Sequence, residues 1–422
     1  MNYKTYHLEN YDIHFVKTDK FKTVEVKIYF QDKVNKHQIT YRNCLTDYMT
    51  FASNNYSTKR NLTLKTYDLY SLYLSSSNVR FGTNVITKFD FSFLNPKYTE
   101  PRMLKESLDF VKEIIYNPLV VDNKFDEENL TFIKQELEAE VLTLKEQPRL
   151  YANVRLLEET DKDMPYANDG YSDLEILKQV NGNSLYQFYK EFLANNKVDI
   201  LVVGDVCEKD YLDYFKENFT FSVNDKKYPE IVEHPKYRKR IRKVIENSKY
   251  TQSKVAIAFK LMGLTRYEYR YVINVFNSVF GGGGSNLLMQ TVRENNGLVY
   301  YINSFLCKTD NLIVLNTGID STKYDKIIIL IKKALHNIEL GNFDESLIEN
   351  GKYEYLSSIT ETLDSISGLG DLVFGKILFD SDDIEVRKQQ IMSVTKEDVM
   401  NVAKKVKMDT VYLLKGGLDD WI

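Results

Sequence analysis

The chain has 422 residues, too many for one ordinary domain and enough for two or three, each with a core of its own. Its 43% hydrophobic and 27% charged residues are the mix of a folded globular protein, not of a disordered or membrane-embedded one. Lys and Arg at 56 against Asp and Glu at 60 leave a net charge of −4, which argues against nucleic acid as the main partner. Histidine stands at only 5, and the three cysteines (Cys44, Cys207, Cys307) are widely spaced with no CxxC. This excludes zinc ribbons and dithiol redox motifs and points to a reduced, cytoplasmic protein. Neither an apolar leader in the first residues nor an apolar run near the ~20 residues that span a bilayer is visible, so no membrane partner is expected.

In chain order, Val24, Val26, Ile28 and Phe30 alternate with polar residues and predict a half-buried strand. Helices are expected over 42–52 and 61–74, and Phe89, Phe91 and Phe93 predict a second strand. Pro101 opens a helix with Leu104, Leu108, Val111 and Ile115 on one face. A long acidic helix over 124–147 carries Leu130, Ile133, Leu137, Val141 and Leu144 as its apolar stripe. Residues 199–206 read as a buried strand ending at Gly204-Asp205. Residues 223–247, with two prolines and the basic run Lys236 to Lys243, read as a solvated linker. The second half then repeats the order. Val255, Ile257 and Phe259 alternate as a strand, helices are expected over 266–280, 322–340, 344–358 and 395–406, and strands over 299–306, 312–318 and 410–414. Similar elements at similar spacing predict an α+β protein of two homologous domains, 1–222 and 248–422. Each is an antiparallel-rich sheet with helices packed on one face.

The run Gly281-Gly282-Gly283-Gly284 lacks the Lys-Ser/Thr of a P-loop and the final glycine of a dinucleotide fingerprint, and it follows a helix where those motifs follow a strand. It is expected to end a helix as a flexible turn. The continuation, Ser285-Asn286-Leu287-Leu288-Met289-Gln290-Thr291-Val292-Arg293-Glu294-Asn295-Asn296-Gly297-Leu298-Val299-Tyr300, resembles the GGxxSxLxxxxRExxGLxY signature of the pitrilysin (insulinase) family of zinc metallopeptidases. The resemblance implies that Arg293 and Tyr300 are substrate-binding residues. A rigid fork of donors and a hydroxyl on a stiff ring can hold a peptide carbonyl and the oxyanion that forms on it. The competing reading pairs Arg293 with Glu294 and treats Tyr300 as one of 31 tyrosines.

The family's zinc is held by HxxEH on the first helix of the first domain, where two His one turn apart share a face and the Glu activates the zinc-bound water. None of His7, His14, His37, His234 and His336 lies four residues from another, and the corresponding helix offers Cys44, Asp47 and Tyr48. The third ligand, a Glu on a later helix, would fall near Gln135-Glu136. No metal is expected in this chain. A substrate-binding pair without a metal site is similar to the non-catalytic, YmfF-like partner type of the family. That type joins a sister subunit bearing HxxEH, which holds the zinc, in a heterodimeric peptidase. An inert scaffold or peptide-binding protein of the same fold, as a homodimer, is the alternative.

Overall fold

The computed structural model describes residues 3–167, 170–222, 230–234 and 237–417. In the first half these form β1 (Tyr3–His7), β2 (Asp12–Lys17), β3 (Thr23–Lys33), α1 (Lys36–Phe51), α2 (Lys59–Asp68), β4 (Tyr73–Phe81), β5 (Asn84–Leu94) and α3 (Met103–Tyr116). The short β6 (Val120–Val121) and β7 (Lys124–Phe125) follow, then α4 (Glu127–Leu144), α5 (Pro148–Thr160), α6 (Leu174–Gln179), α7 (Gly182–Asn195), β8 (Lys197–Gly204) and α8 (Glu208–Asn218). The second half contains β9 (Arg242–Asn247), β10 (Ser253–Leu261), α9 (Ile273–Asn277), β11 (Val299–Cys307), β12 (Leu312–Ile319), α10 (Tyr324–Glu339), α11 (Ser346–Leu363), α12 (Ile366–Phe379), α13 (Ile384–Met392), α14 (Lys396–Ala403) and β13 (Val406–Lys415).

The strand orders are β1-β2-β8-β3-β5-β4 and β11-β12-β10-β13-β9. Reading the second from β9 backwards reproduces the first from β2 onwards. Each has one parallel pair, β2 with β8 and β9 with β13, followed by antiparallel neighbours. The α+β class and the two homologous domains are therefore as expected. The linker reading is corrected in part. Residues 242–247 of the expected 223–247 linker form β9, the counterpart of β2, while 223–229 and 235–236, including Lys236 of the basic run, lie outside the described residues. As an edge strand whose side chains are mostly half exposed or exposed, β9 shows no apolar alternation for a sequence reading to find.

Two compact units result, but neither is one continuous stretch. The first comprises residues 1–142, 170–229 and 362–381, and the second 143–169, 230–361 and 382–422. The contiguous domains expected from the sequence thus each give up one helix, α12 going to the first unit and α5 to the second. The expectation of helices on one face changes accordingly. In the first unit Ile13, Phe15, Val26, Ile28, Phe89, Phe91, Ile200 and Val202 meet α1, α3, α4, α7 and α8 in the main core. The opposite face, with Val16, Tyr29, Leu201 and Val203, is covered by Leu369, Val373, Phe374 and Leu378 of α12. Phe374 stacks on Tyr29 with centroids 3.5 Å apart, and a Cβ at Gly370 would lie 3.2 Å from the Leu201 side chain, so α12 lies tight on the sheet. In the second unit, Ala152 and Leu156 of α5 cover Ala256, Ala258, Tyr412 and Leu414 in the same manner.

Each borrowed segment is fixed by a buried lysine. Lys27 on β3, fully buried, reaches Asp371 Oδ1 at 2.6 Å and the Ser367 hydroxyl at 2.8 Å on α12, with Glu25 at 3.5 Å beside it. Burial pushes the Glu25 carboxyl up, and Lys27 pulls it back. In the second unit Lys260 on β10 reaches Asp161, at the end of α5, at 2.6 Å and the buried Asp409 at 3.4 Å.

Phe374→Ala is expected to destabilise the first unit by about 3 kcal/mol through the cavity it leaves. Lys27→Met should cost a similar ~3 kcal/mol, because Glu25 loses its buried counter-charge. Urea denaturation followed by tyrosine fluorescence checks both. An unchanged first transition in either variant would refute the role given to α12.

Candidate functional site

Helix α1 starts at Asn35, whose side chain accepts the His37 N–H, and buries Leu45, Tyr48 and Met49 against the first unit's core. Cys44, Asp47 and Tyr48 sit at i, i+3 and i+4, so the structure does bring the three positions onto one face. Their chemistry is that of packing. The Tyr48 hydroxyl donates to Leu119 O at 2.8 Å and accepts the Asp126 N–H at 2.7 Å, while its ring stacks on Phe125 at 4.2 Å. Asp126 in turn accepts the Asn129 N–H at the start of α4. Tyr48 is therefore a strut that joins α1 to the β6–β7 turn and to α4.

Cys44 is completely buried, and that burial, then the Asp47 carboxylate, pushes its thiol up to about 12. It is a thiol at neutral pH, and zinc requires the thiolate. Burial, then Glu140 and Glu136, pushes Asp47 up to about 6. The later helix of the family's third ligand, α4, thus does face the degenerate motif, and its carboxylates act there as repelling charges. These residues do not fit a zinc ion: a protonated thiol, a hydroxyl with both of its hydrogen bonds made and one carboxyl supply no set of three ligands.

One cluster of ligand-type atoms does occur among the described residues, away from that motif. Asp12, His14 and Asp199 have ligand atoms within 4.8 Å of one another. Both imidazole nitrogens are engaged, Nε2 with Asp199 at 3.1 Å and Nδ1 with Thr5 at 2.9 Å. Lys197 lies 2.8 Å from Asp199 and 3.8 Å from Asp12. An ammonium already supplies the cation, so the cluster reads as a closed ionic network. Sequence reasoning missed it because β2, which carries His14, was not predicted.

The glycine run behaves as a close-packed turn. It ends the π-helical turn Ser278–Gly282, and a Cβ at Gly281 would lie 2.6 Å from the Leu288 side chain and 2.8 Å from the Ser304 hydroxyl. The Glu354 carboxylate accepts both the Gly284 N–H at 2.9 Å and the Ser278 hydroxyl at 2.6 Å. Asn286 restarts the helix by accepting the Met289 N–H at 2.8 Å. A carboxylate on a backbone amide of this loop disfavours a phosphate there, in line with the sequence reading.

Beyond it, Arg293 lies in the π-helical turn Met289–Glu294. Gly297 closes the turn in the left-handed region, φ +60°, donating its N–H to Arg293 O at 2.7 Å, and Leu298 N–H reaches Val292 O at 3.2 Å. The chain is thereby reversed into β11, the edge strand of its sheet, and Tyr300 comes back beside Arg293. The Arg293 guanidinium stands 5.6 Å from the centre of the Tyr300 ring. Tyr300 is 80% exposed. Among the described residues no side-chain hydrogen bond or ion pair engages either one; the competing Arg293–Glu294 pair does not form.

The raised Asp47 pKa has a definite sign. The folded state holds that proton more tightly than the unfolded chain, where 3.8 applies, so the stabilisation is complete below about pH 4 and is lost as pH rises through about 6. Asp47→Asn should therefore raise the urea midpoint at pH 7 and leave it unchanged near pH 4. Equal midpoint shifts at both pH values would contradict the assignment.

Comparison with known proteins agrees with this geometry. Residues 179–354 match the family model described as Peptidase M16 inactive domain. The probable inactive metalloprotease YmfF of Bacillus subtilis (strain 168) is 26% identical over 412 residues, 96% of this chain and 95% of that protein. An uncharacterized zinc protease of the same organism, YmxG, is 23% identical over 73% of this chain and 78% of its own length. A crystal structure of a conserved protein from Enterococcus faecalis V583 superposes with a TM-score of 0.93 at 26% identity, covering 100% of both chains. No helix among the described residues is long and apolar enough to cross a membrane. With two α+β domains of matching strand order, a motif helix that offers no set of three zinc ligands, and these relatives, the chain resembles the inactive members of the M16 (pitrilysin) peptidase family, whose inactive-domain model its residues 179–354 match.

Proposed function

We propose that this chain is the substrate-holding subunit of a heterodimeric M16 peptidase whose sister subunit carries HxxEH and the zinc. The observation that carries the reading is the Arg293–Tyr300 pair. A guanidinium and a phenol are held side by side at the start of an edge strand, and no group among the described residues uses their donors. A cation over an aromatic face is worth about 0.5–1 kcal/mol at an exposed site, enough to orient the guanidinium and leave its fork open. Two neighbouring donor groups of this kind suit a peptide carbonyl and the oxyanion it becomes when attacked. The inverse pattern in the motif helix supports the same division. Cys44 and Tyr48 are committed to the core, so water activation belongs to the partner. The partner's chemistry is of the kind named for YmxG, a zinc protease found in the same organism as YmfF. The three cysteines are all unpaired, which suits a reducing, cytoplasmic setting for peptide turnover.

The test is co-expression with an HxxEH-bearing sister chain, followed by assay of peptide cleavage. Arg293→Ala is expected to lower kcat/KM by roughly a hundredfold, as the loss of one oxyanion donor does, with Tyr300→Phe somewhat milder. Both variants should still co-purify with the partner, because exposed side chains at a strand end leave the cores untouched. Unchanged kcat/KM in both would sink the proposed role, and a stable homodimer that ignores the sister chain would replace it with a scaffold.

A further inference from the structure

The two sheets share a strand order but not an outermost strand. In the first, β2 stands beside β8 and is closed on its outer side by β1, from Tyr3 opposite Val16 to His7 opposite Asp12. Its counterpart β9 pairs with β13 alone, so the outer edge of β9 is the end of the second sheet. Among the described residues no backbone group bonds to that edge. The residues that precede β9 are placed elsewhere. Val232 N–H donates to Thr309 O at 2.8 Å, the Asn311 side chain donates to Val232 O at 2.9 Å, and His234 Nε2 donates to Asp310 O at 2.8 Å. Residues 230–234 therefore lie on the turn between β11 and β12. The side chains leave the edge open as well, with Ile245 53% exposed.

The charge left free along this edge is positive. Glu246 is taken by the Tyr151 and Tyr412 hydroxyls at 2.7 and 2.6 Å, and Arg242 by Glu159. Lys243 stands 4.1 Å from the centre of the Tyr324 ring. Lys243, Lys239 and Arg240 are all exposed, and none of them forms an ion pair among the described residues. An unpaired edge is a template for a further strand: its amides and carbonyls supply affinity, and the charges beside it select the partner. We propose that the outer edge of β9 is the docking site for an extended acidic segment of a partner protein, which takes in the second sheet the place that β1 takes in the first. A second copy of this chain would bring the same positive surplus against it, and like charges across a strand pair are destabilising. The edge lies at the opposite end of the sheet from β11 and Tyr300, and its role stands whether or not Arg293 and Tyr300 hold a substrate.

The probe is a peptide of alternating aspartate and valine, about eight residues long so that it covers the six of β9, blocked at both ends and carrying a neutral fluorophore. Fluorescence anisotropy with the full chain at low ionic strength should show saturable binding. The same peptide with lysine for aspartate should bind roughly tenfold more weakly, through charge. The acidic peptide with a central valine replaced by proline should weaken by a similar factor, because it loses an amide and cannot continue a strand. Combined Lys239→Glu, Arg240→Glu and Lys243→Glu should weaken the acidic peptide by roughly tenfold, as the loss of three exposed ion pairs does, and strengthen the lysine peptide. Hydrogen exchange over 242–247 should slow when the acidic peptide is bound. The peptide series and the exchange measurement use the unmodified chain, so they decide the matter even where the triple variant misfolds. Absence of saturable binding, equal binding of the proline peptide, or unchanged exchange over 242–247 overturns the site. Slowed exchange that follows formation of a homodimer instead makes the occupant a second copy and overturns the acidic assignment.

Discussion

A lysine buried on the strand at the middle of each sheet is the constraint on which the architecture turns. Lys27 and Lys260 both point away from the main core, and both find their strongest carboxylate, at 2.6 Å, on a segment from the other half of the sequence. A charged amine at such depth is tolerated only when paired and hydrogen-bonded. An arbitrary apolar helix would leave it uncompensated, whereas one presenting Asp371 and Ser367, or ending at Asp161, satisfies it. The surrounding apolar contact, such as Phe374 on Tyr29, supplies most of the attraction, and the lysine specifies which helix makes it. Because α12 completes the first unit and α5 the second, neither half of the chain closes both faces of its own sheet.

The commitment of polar groups to the fold is equally visible in α1, where Cys44, Asp47 and Tyr48 stand at the positions the family resemblance assigns to its zinc motif. In an M16 enzyme, two metal ligands on this face would project toward the later acidic helix. Here Cys44 is absorbed into the core, and Tyr48 spans the distance to the β6–β7 turn with both hydrogen bonds of its hydroxyl. What survives of the polar site is Asp47, facing Glu136 and Glu140. Burial first, and then the charges of Glu140 and Glu136, disfavour the ionised form of Asp47 and push it up to about 6. On this face of α1, Cys44 and Tyr48 serve packing.

Much of this was legible in the residues and some was not, for physical reasons. The alternation at Val24–Phe30 and Val255–Phe259 marks strands with one face in a main core, and both are found. Strand β4, YLSSSNVRF, was read in part as the end of a helix. It is an edge strand with serines where a central strand has valines, and the preceding helix stops early because Tyr70 and Ser71 both adopt positive φ. Strands β2 and β9 lie against a single parallel neighbour on one side, and the polar residues of β2 reflect a sheet face where His14 and Asp199 are buried as an ionic network. The exchange of α5 and α12 left no local trace at all, because a helix's apolar stripe does not state which sheet it covers. At the site, the Arg293–Tyr300 spacing was readable because Gly297 fixes the reversal between them.

The two units thus treat their polar groups in opposite ways, and the contrast bears on function. In the first unit the motif residues are inside, with Tyr48 fully hydrogen-bonded and Cys44 protonated in the core. In the second, Arg293 and Tyr300 stay outside, and the fold maintains a left-handed glycine turn that sets one beside the other. A ring that is 80% exposed adds little to folding, and a single exposed cation–π contact adds about 0.5–1 kcal/mol. Stability therefore does not account for the arrangement. Donors oriented by the backbone and unused among the described residues suit the substrate-holding role proposed for them, since pre-orientation lowers the entropic cost of binding.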